Sequence, residues 1–402
     1  MDIRSKPNNP LEECRFLVII PLMHHQDPTA PIWVATPTAL RRMMNHLLAC
    51  EQIAVDTESN GLHAYQEQIC LIQFSVPGAD YLVDPLASVN LSGLNEIFSN
   101  PGIEKVFHAA EYDILCLKRD FGFTFTHLFD TMIAARILGR SEVGLAALLE
   151  EHFGVTLDKR YQRANWARRP LPPAMLNYAR LDTHYLIDLR NHLAKELAER
   201  GLTALAEEDF LRVCETPAAP AESRPPMWWD VAGTTDLPPQ QASLLQALVE
   251  FREQQARFAN LPPFRVLSNA VLIQIAEANP MTLEDLAEVQ GLSYAHLERY
   301  GLGIMEALRR GRTRPAPQPP GYSRPNHQIL KRLEMLKRWR KDAGRRMGVE
   351  SDVILPRDTM HALAQCDVTT PEDIERLMAH LPWRWQTFGK ELIQLLVKEK
   401  IS

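Results

Sequence analysis

Cysteine is scarce and scattered in this chain. Its six residues, Cys14, Cys50, Cys70, Cys116, Cys214 and Cys366, form no C-x-x-C pair and no spacing typical of a zinc site. Reduced thiols in a cytosolic protein are therefore expected. Long apolar runs are missing too. The one early candidate, FLVIIPLM, is about half the length a membrane span needs and follows Glu12 and Glu13 instead of a basic leader, so neither an anchor nor a signal peptide is expected. No G-x-x-x-x-G-K-[ST] phosphate loop occurs, which excludes a helicase motor. Nor is there an overall excess of positive charge. The formal net charge is −6, so a nucleic-acid partner would have to be held by local clusters of Lys and Arg.

What is present is an ordinary soluble composition, 46% hydrophobic and 23% charged, over 402 residues, a length that suits two or three domains. Two basic clusters do exist, DKRYQRANWARRP (158–170) and LKRLEMLKRWRKDAGRR (330–346). Two stretches rich in Pro and small polar residues, ETPAAPAESRPPM and GRTRPAPQPPGYSRP, read as linkers. They suggest an extension over 1–30, a first domain over 31–214, a linker over 215–227, a second domain over 228–311, a linker over 312–325 and a third domain over 326–402.

The first domain mixes strand and helix patterns. IWVAT and EQIAVDTE read as strands around a helix beginning near Pro37, ICLIQFSV and ADYLVDP as a strand pair, and KVFHA as a strand followed by amphipathic helices. This is the pattern of an α/β domain, a mixed sheet flanked by helices. The second and third domains repeat one another. Phe251-Arg252 recurs as Trp339-Arg340 (339 − 251 = 88), and Val266-Leu267, Thr282-x-Glu284-Asp285 and Tyr300-Gly301 recur at the same offset as Ile354-Leu355, Thr370-x-Glu372-Asp373 and Phe388-Gly389. Two copies of one all-α domain are expected. In the helix of the second basic cluster, Leu330, Leu333, Leu336 and Trp339 should form the apolar face and the bases an outer face, solubilising or gripping RNA.

Acidic residues recur at telling places. In EQIAVDTESNGL an apolar run leads into Asp56 and Glu58, which a strand's period of two aims at one face. Asp113 falls in the first turn of the helix after KVFHA, and Tyr178 and Asp182 lie four apart, on one face of a helix. Each has an ordinary explanation: turn chemistry, helix-dipole compensation, or a core tyrosine. Together they suggest a two-metal site. Phosphodiester hydrolysis uses two divalent cations held by a few carboxylates, and four carboxylates converging without metal would repel one another.

In order and context, Asp56-x-Glu58, Asp113 after HAAEY, and Tyr178-x-x-x-Asp182 resemble the three motifs of the DEDD superfamily of 3′ to 5′ exonucleases, in its tyrosine subgroup. The words ICLIQFS, FDTMIAARILG, GLAALLEEHFGV and NWARRPLPPAMLNYARLDTHYL look like the ribonuclease D family, and the repeats are similar to its tandem HRDC domains. The resemblance implies an RNase H-like exonuclease domain and two cations, Mg²⁺ or Mn²⁺. Asp56, Glu58 and Asp182 would hold the water-activating metal, Asp56 would bridge to a second metal supported by Asp113, and Tyr178 would orient the attacking water. It further implies nucleoside 5′-monophosphate products, RNA such as tRNA precursors as partner, and a role in tRNA 3′ maturation; a cytoplasmic location is expected from the lack of a signal peptide or anchor, and no obligate protein partner is evident. A Werner-like DNA exonuclease or an inactive nucleic-acid-binding protein is the alternative.

The loop SNGLHAYQEQ departs from the more aromatic or basic loop of many bacterial relatives. His63 and Tyr65 are candidates for stacking on the terminal nucleotide, or else plain loop residues. Arg163, Trp166, Arg168 and Arg169 lie just before the helix of Tyr178 and could track phosphates beside the site; packing is the commoner role for Trp166. His108 and His184 are expected to be buried, hydrogen-bonded histidines without a catalytic role.

Overall fold

The structure is a computed structural model that describes residues 30–218, 224–233, 235–319, 326–366 and 370–397. The FLVIIPLM run and parts of both linkers lie outside the described residues.

In the first domain the strands β1 (Ile32–Val34), β2 (Gln52–Ser59), β3 (Ile69–Val76), β4 (Ala79–Val83), β5 (Glu104–Phe107) and β6 (Leu128–Asp130) form one sheet in the order β1-β4-β3-β2-β5-β6. β3 runs antiparallel to both neighbours and the other pairings are parallel, so the sheet is mixed. The expected pair is the β3–β4 hairpin, whose turn places Gly78 at φ +84°, a conformation that glycine adopts without a Cβ clash. Every residue of β3 is buried, as an apolar run without alternation requires of a strand covered on both faces. β6 has only three residues, too few to show a period.

The helices of this domain are α1 (Pro37–Leu47), α2 (Leu94–Phe98), α3 (Glu111–Phe121), α4 (Thr131–Ile137), α5 (Leu145–Phe153), α6 (Pro173–His184), α7 (Leu186–Glu199) and α8 (Thr203–Glu215). α1 shows the local logic. Thr36 caps it by accepting from the Ala39 amide at 3.2 Å, Pro37 opens its first turn, and Leu40, Met43 and Leu47 form its buried stripe. α6 packs across β2, β3 and β4, and α7 across β2 and β5.

The first repeat comprises α9 (Trp228–Ala232), α10 (Pro239–Ala259), α11 (Pro263–Val266), α12 (Asn269–Ala278), α13 (Leu283–Ala287) and α14 (Tyr294–Thr313). The second comprises α15 (His327–Met347), α16 (Ser351–Ile354), α17 (Arg357–Gln365), α18 (Pro371–Met378) and α19 (Pro382–Leu396). The repeated letters are repeated contacts. Thr282 and Asp285 form a capping box at the start of α13, and Thr370 and Asp373 form the same box at α18. Arg252 donates to the Leu267 carbonyl at 3.2 Å and Arg340 to that of Leu355 at 3.0 Å. Phe251 meets Tyr300 edge-on at 6.3 Å, and Trp339 meets Phe388 edge-on at 5.6 Å.

Two expectations for α15 need correction. Leu330 is exposed, and Ile329 takes its place, because the packed register runs 329, 333, 336. The bases do not all lie outside: Arg332 donates to the Ala364 and Cys366 carbonyls, and Arg340 is tied as above, each satisfying backbone oxygens of its own bundle.

The second repeat is fastened to the first domain. Arg384 of α19 is fully buried and pairs with Glu208 and Asp209 of α8, while Val353 joins the hydrophobic core of the sheet domain.

Candidate active site

β2 runs through Asp56 and Glu58 to Ser59, and a register shift follows Glu58. Both carboxylates are half-buried on the face over which α6 lies. α6 brings Asp182, 8% exposed, and Tyr178 to that face. One carboxylate oxygen each from Asp56, Glu58 and Asp182 falls within a single sphere of contact, all within 4.8 Å of one another.

Asp113 stands outside this group of three and is held by the Thr57 hydroxyl. Its position follows from the turn before α3. Asp130 is buried and accepts from the Ala109 and Ala110 amides at 3.1 and 2.7 Å, and also from the Met132 and Ile133 amides at 2.8 and 3.1 Å as the cap of α4. Ala109 is held at φ +62° in this turn, and α3, which follows it, carries Asp113 to the Thr57 hydroxyl of β2.

Burial, followed by mutual repulsion, sets the electrostatics. Asp56 is pushed well above the usual carboxylate range by desolvation and by the charge of Asp182. Glu58 is raised by desolvation and by the charges of Asp56, Asp182 and Asp113. Burial and Asp56 likewise raise Asp113, and burial takes Asp182 up to about 7. Hydrogen bonds from Thr57 and Tyr178 offset this in part. Four oxygen-donor carboxylates in this condition, three of them converging, are a donor set suited to a hard divalent cation. Tyr178 is raised by burial and by the surrounding carboxylates and keeps its proton; its ring packs between Tyr161 and Trp166, each 5.9 Å away.

The residues expected to meet substrate separate. Arg163 and Arg168 are exposed. Trp166 is 1% exposed, a packing residue against Tyr178, so it offers no free face. Arg169 is not available either: it pairs with Asp84 at 2.5 Å, donates to the Cys70 and Trp166 carbonyls, and covers the Trp33 ring, because a guanidinium drawn under the loop must satisfy its donors there. His63 and Tyr65 turn to the first repeat. His63 meets the Arg163 carbonyl and the Arg265 guanidinium, and Tyr65 donates to Glu253 at 2.8 Å while Arg257 covers its ring. His108, bonded to Thr131, is depressed to about 4 by burial and is neutral, and His184 rests on Asp80, as expected of structural histidines.

Two site residues escaped the sequence reading. Asp130 is one, and FDT, an acid before an N-terminal Thr, was its signal. The other is Gln73, fully buried and directly across the ladder from Asp56, the one amide in an otherwise nearly apolar strand. Its two amide atoms have no partner among the described residues.

A cavity of about 510 Å³ adjoins the carboxylates, lined by Thr57, Glu58 and Asp113, with Gln162 of the first basic cluster on its wall.

A mixed sheet with this acidic group, followed by paired helical repeats, defines a nuclease-type chain. The family model for the 3′-5′ exonuclease domain matches residues 31–198, and the HRDC domain model matches residues 241–308 and 329–396, the offset read from the repeats. Ribonuclease D of Jannaschia sp. is 33% identical over 67% of this chain and 71% of its own length. The chain belongs to the ribonuclease D family. It is also 36% identical to the exosome complex exonuclease RRP6 of Saccharomyces cerevisiae over 63% of this chain, spanning only 37% of that relative's length. The crystal structure of Escherichia coli RNase D, described as an exoribonuclease involved in structured RNA processing, superposes with a TM-score of 0.66 at 26% identity, covering 92% of this chain and 99% of that one.

Proposed function

We propose that this chain is a metal-dependent 3′ to 5′ exoribonuclease that removes nucleoside 5′-monophosphates from the 3′ ends of structured RNA, tRNA precursors among them, in the cytoplasm. The observation that carries the reading is the convergence of Asp56, Glu58 and Asp182 within 4.8 Å, with Asp113 adjacent. Those three would hold one divalent cation, Mg²⁺ or Mn²⁺, and Asp113 with Asp56 would hold a second. Bound there, the cations supply Lewis-acid stabilisation of negative charge on the phosphate oxygens.

The chain's own residues do the rest. Tyr178 keeps its proton, hydrogen-bonds Asp182, and offers its oxygen to orient a water in line with the terminal phosphodiester. The water oxygen bonds to phosphorus, the bond to the 3′ oxygen of the preceding nucleotide breaks, and that oxygen takes up a proton. Exposed Arg163 and Arg168 would draw the backbone toward the cavity beside Glu58. Among the described residues no helix is long and apolar enough to cross a membrane.

The test is digestion of a 5′-labelled tRNA carrying a 3′ extension, beside single-stranded DNA, in Mg²⁺ or Mn²⁺. EDTA and Asp182→Asn serve as controls. A ladder shortening from the 3′ end of the RNA, absent in both controls, is expected. Preference for DNA would move the chain to DNA exonuclease, and no cleavage of either would overturn the reading.

A further inference from the structure

Tyr112 is the residue before Asp113 in the first turn of α3, and it is 56% exposed. It lines the 510 Å³ cavity together with Glu58 and Asp113. It also borders a second cavity, of about 1030 Å³, between the sheet domain and the second repeat. The ring is exposed at this junction, yet its hydroxyl is tied down. Its hydroxyl donates to Glu67, lying 2.7 and 2.6 Å from the two carboxylate oxygens. Glu67 in turn accepts from Ser59 at 2.6 Å and from Arg119 at 3.1 Å. Ser59 is the neighbour of Glu58, so the tether anchors the ring to the same strand that carries two of the carboxylates. Among the described residues no other ring or guanidinium covers its faces.

We propose that Tyr112 is the stacking platform for the nucleobase at the 3′ terminus of the substrate, a specificity-determining contact that rests on the nuclease reading above. A ring whose orientation is already paid for by hydrogen bonds to its hydroxyl loses little freedom when a base lands on it. A π face accepts any base, so the contact supports sequence-independent trimming. The size of the cavity suits a single nucleotide, and Glu58 and Asp113 share its lining with Tyr112, so a nucleotide stacked on the ring lies beside the carboxylates. Gln162 adds a polar group to the lining.

The experiment uses the full chain with Mg²⁺ and two single-stranded RNAs that differ only in the last residue, one with a base and one abasic. Tyr112→Leu keeps apolar bulk and removes the π face; Tyr112→Trp restores a face without the hydroxyl. On the RNA with a base, Leu should raise KM about tenfold with kcat changed less than threefold, and Trp should return KM to near the starting value. On the abasic RNA all three proteins should share one KM. An unchanged KM for Tyr112→Leu on the RNA with a base would overturn the proposal. So would an equal penalty on both RNAs, which would assign Tyr112 a structural role through Glu67. If the unsubstituted chain cleaves neither RNA nor DNA, the nuclease reading itself fails, an outcome separate from these.

Discussion

Replacing Arg384 should release the second helical repeat from the sheet domain. The guanidinium is fully buried and makes every one of its contacts across or beside that interface: to Glu208, to Asp209 at 2.8 Å, and to the Val353 carbonyl at 3.1 and 2.8 Å. Glu208 is itself buried, its side chain 3% exposed, and its second oxygen accepts from the Trp383 amide at 2.7 Å. In Arg384→Ala that carboxylate and the Val353 carbonyl remain in the interior without their main donor. Breaking a buried pair from one side costs about 3–5 kcal/mol, a factor of a hundred or more in the docking equilibrium. Replacing both members of the closest pair by apolar groups of similar volume, as in Glu208→Leu with Arg384→Met, strands neither of them, leaves Asp209 to Arg212 at 3.4 Å, and should recover part of the loss. Hydrogen exchange of α8 and α19 reports docking directly, and urea unfolding reports the total. A cost below about 1 kcal/mol for Arg384→Ala, or a double variant no better than the single one, would refute the reasoning.

Asp182→Asn should abolish nuclease activity and yet raise the melting temperature of the metal-free protein, because it removes a charge from a buried acidic group; differential scanning calorimetry checks the second effect. The same group sets a pH dependence. With Asp182 raised from 3.8 to about 7, the folded chain holds a proton there that the unfolded chain has released, so metal-free stability should fall as pH rises from about 4 to about 7, by at most about 4 kcal/mol. Added Mg²⁺ or Mn²⁺ should therefore raise the melting temperature more at pH 8 than at pH 5.5, and equal shifts would count against cation binding to these carboxylates. Arg163→Ala and Arg168→Ala should each weaken RNA binding and lower the salt slope by about 1, while Arg169→Ala should mainly cost stability by stranding Asp84; fluorescence anisotropy against salt separates the cases.

The contrast between Arg168 and Arg169 shows where reading a sequence stops. Both sit in one basic cluster, and only the path of the loop decides that the second lies against Asp84, 85 positions away. His63 and Tyr65 are alike in this: their partners, Arg265, Glu253 and Arg257, belong to a domain nearly two hundred residues on. Tyr112 and Glu67 meet across 45 residues, and nothing local marks the pair. By contrast, the Thr-x-Glu-Asp word of each repeat, the alternation that sets Asp56 and Glu58 on one face of β2, and the amphipathic helices are local patterns, legible in the sequence alone.

What the sequence determined by itself was the set of acids, their order, and the local element under each one, because strand and helix periods dictate which neighbours share a face. It also determined the doubled helical unit, since a constant offset needs no third dimension to be seen. The tertiary structure alone decided that β2 lies between β3 and β5, that α6 crosses β2 and β3, and that Asp130 ties down the turn before α3. Sheet order and helix docking come from non-local burial, which many sequences with the same local pattern could satisfy differently, and the closeness of Asp56, Glu58 and Asp182 exists only once that choice has been made.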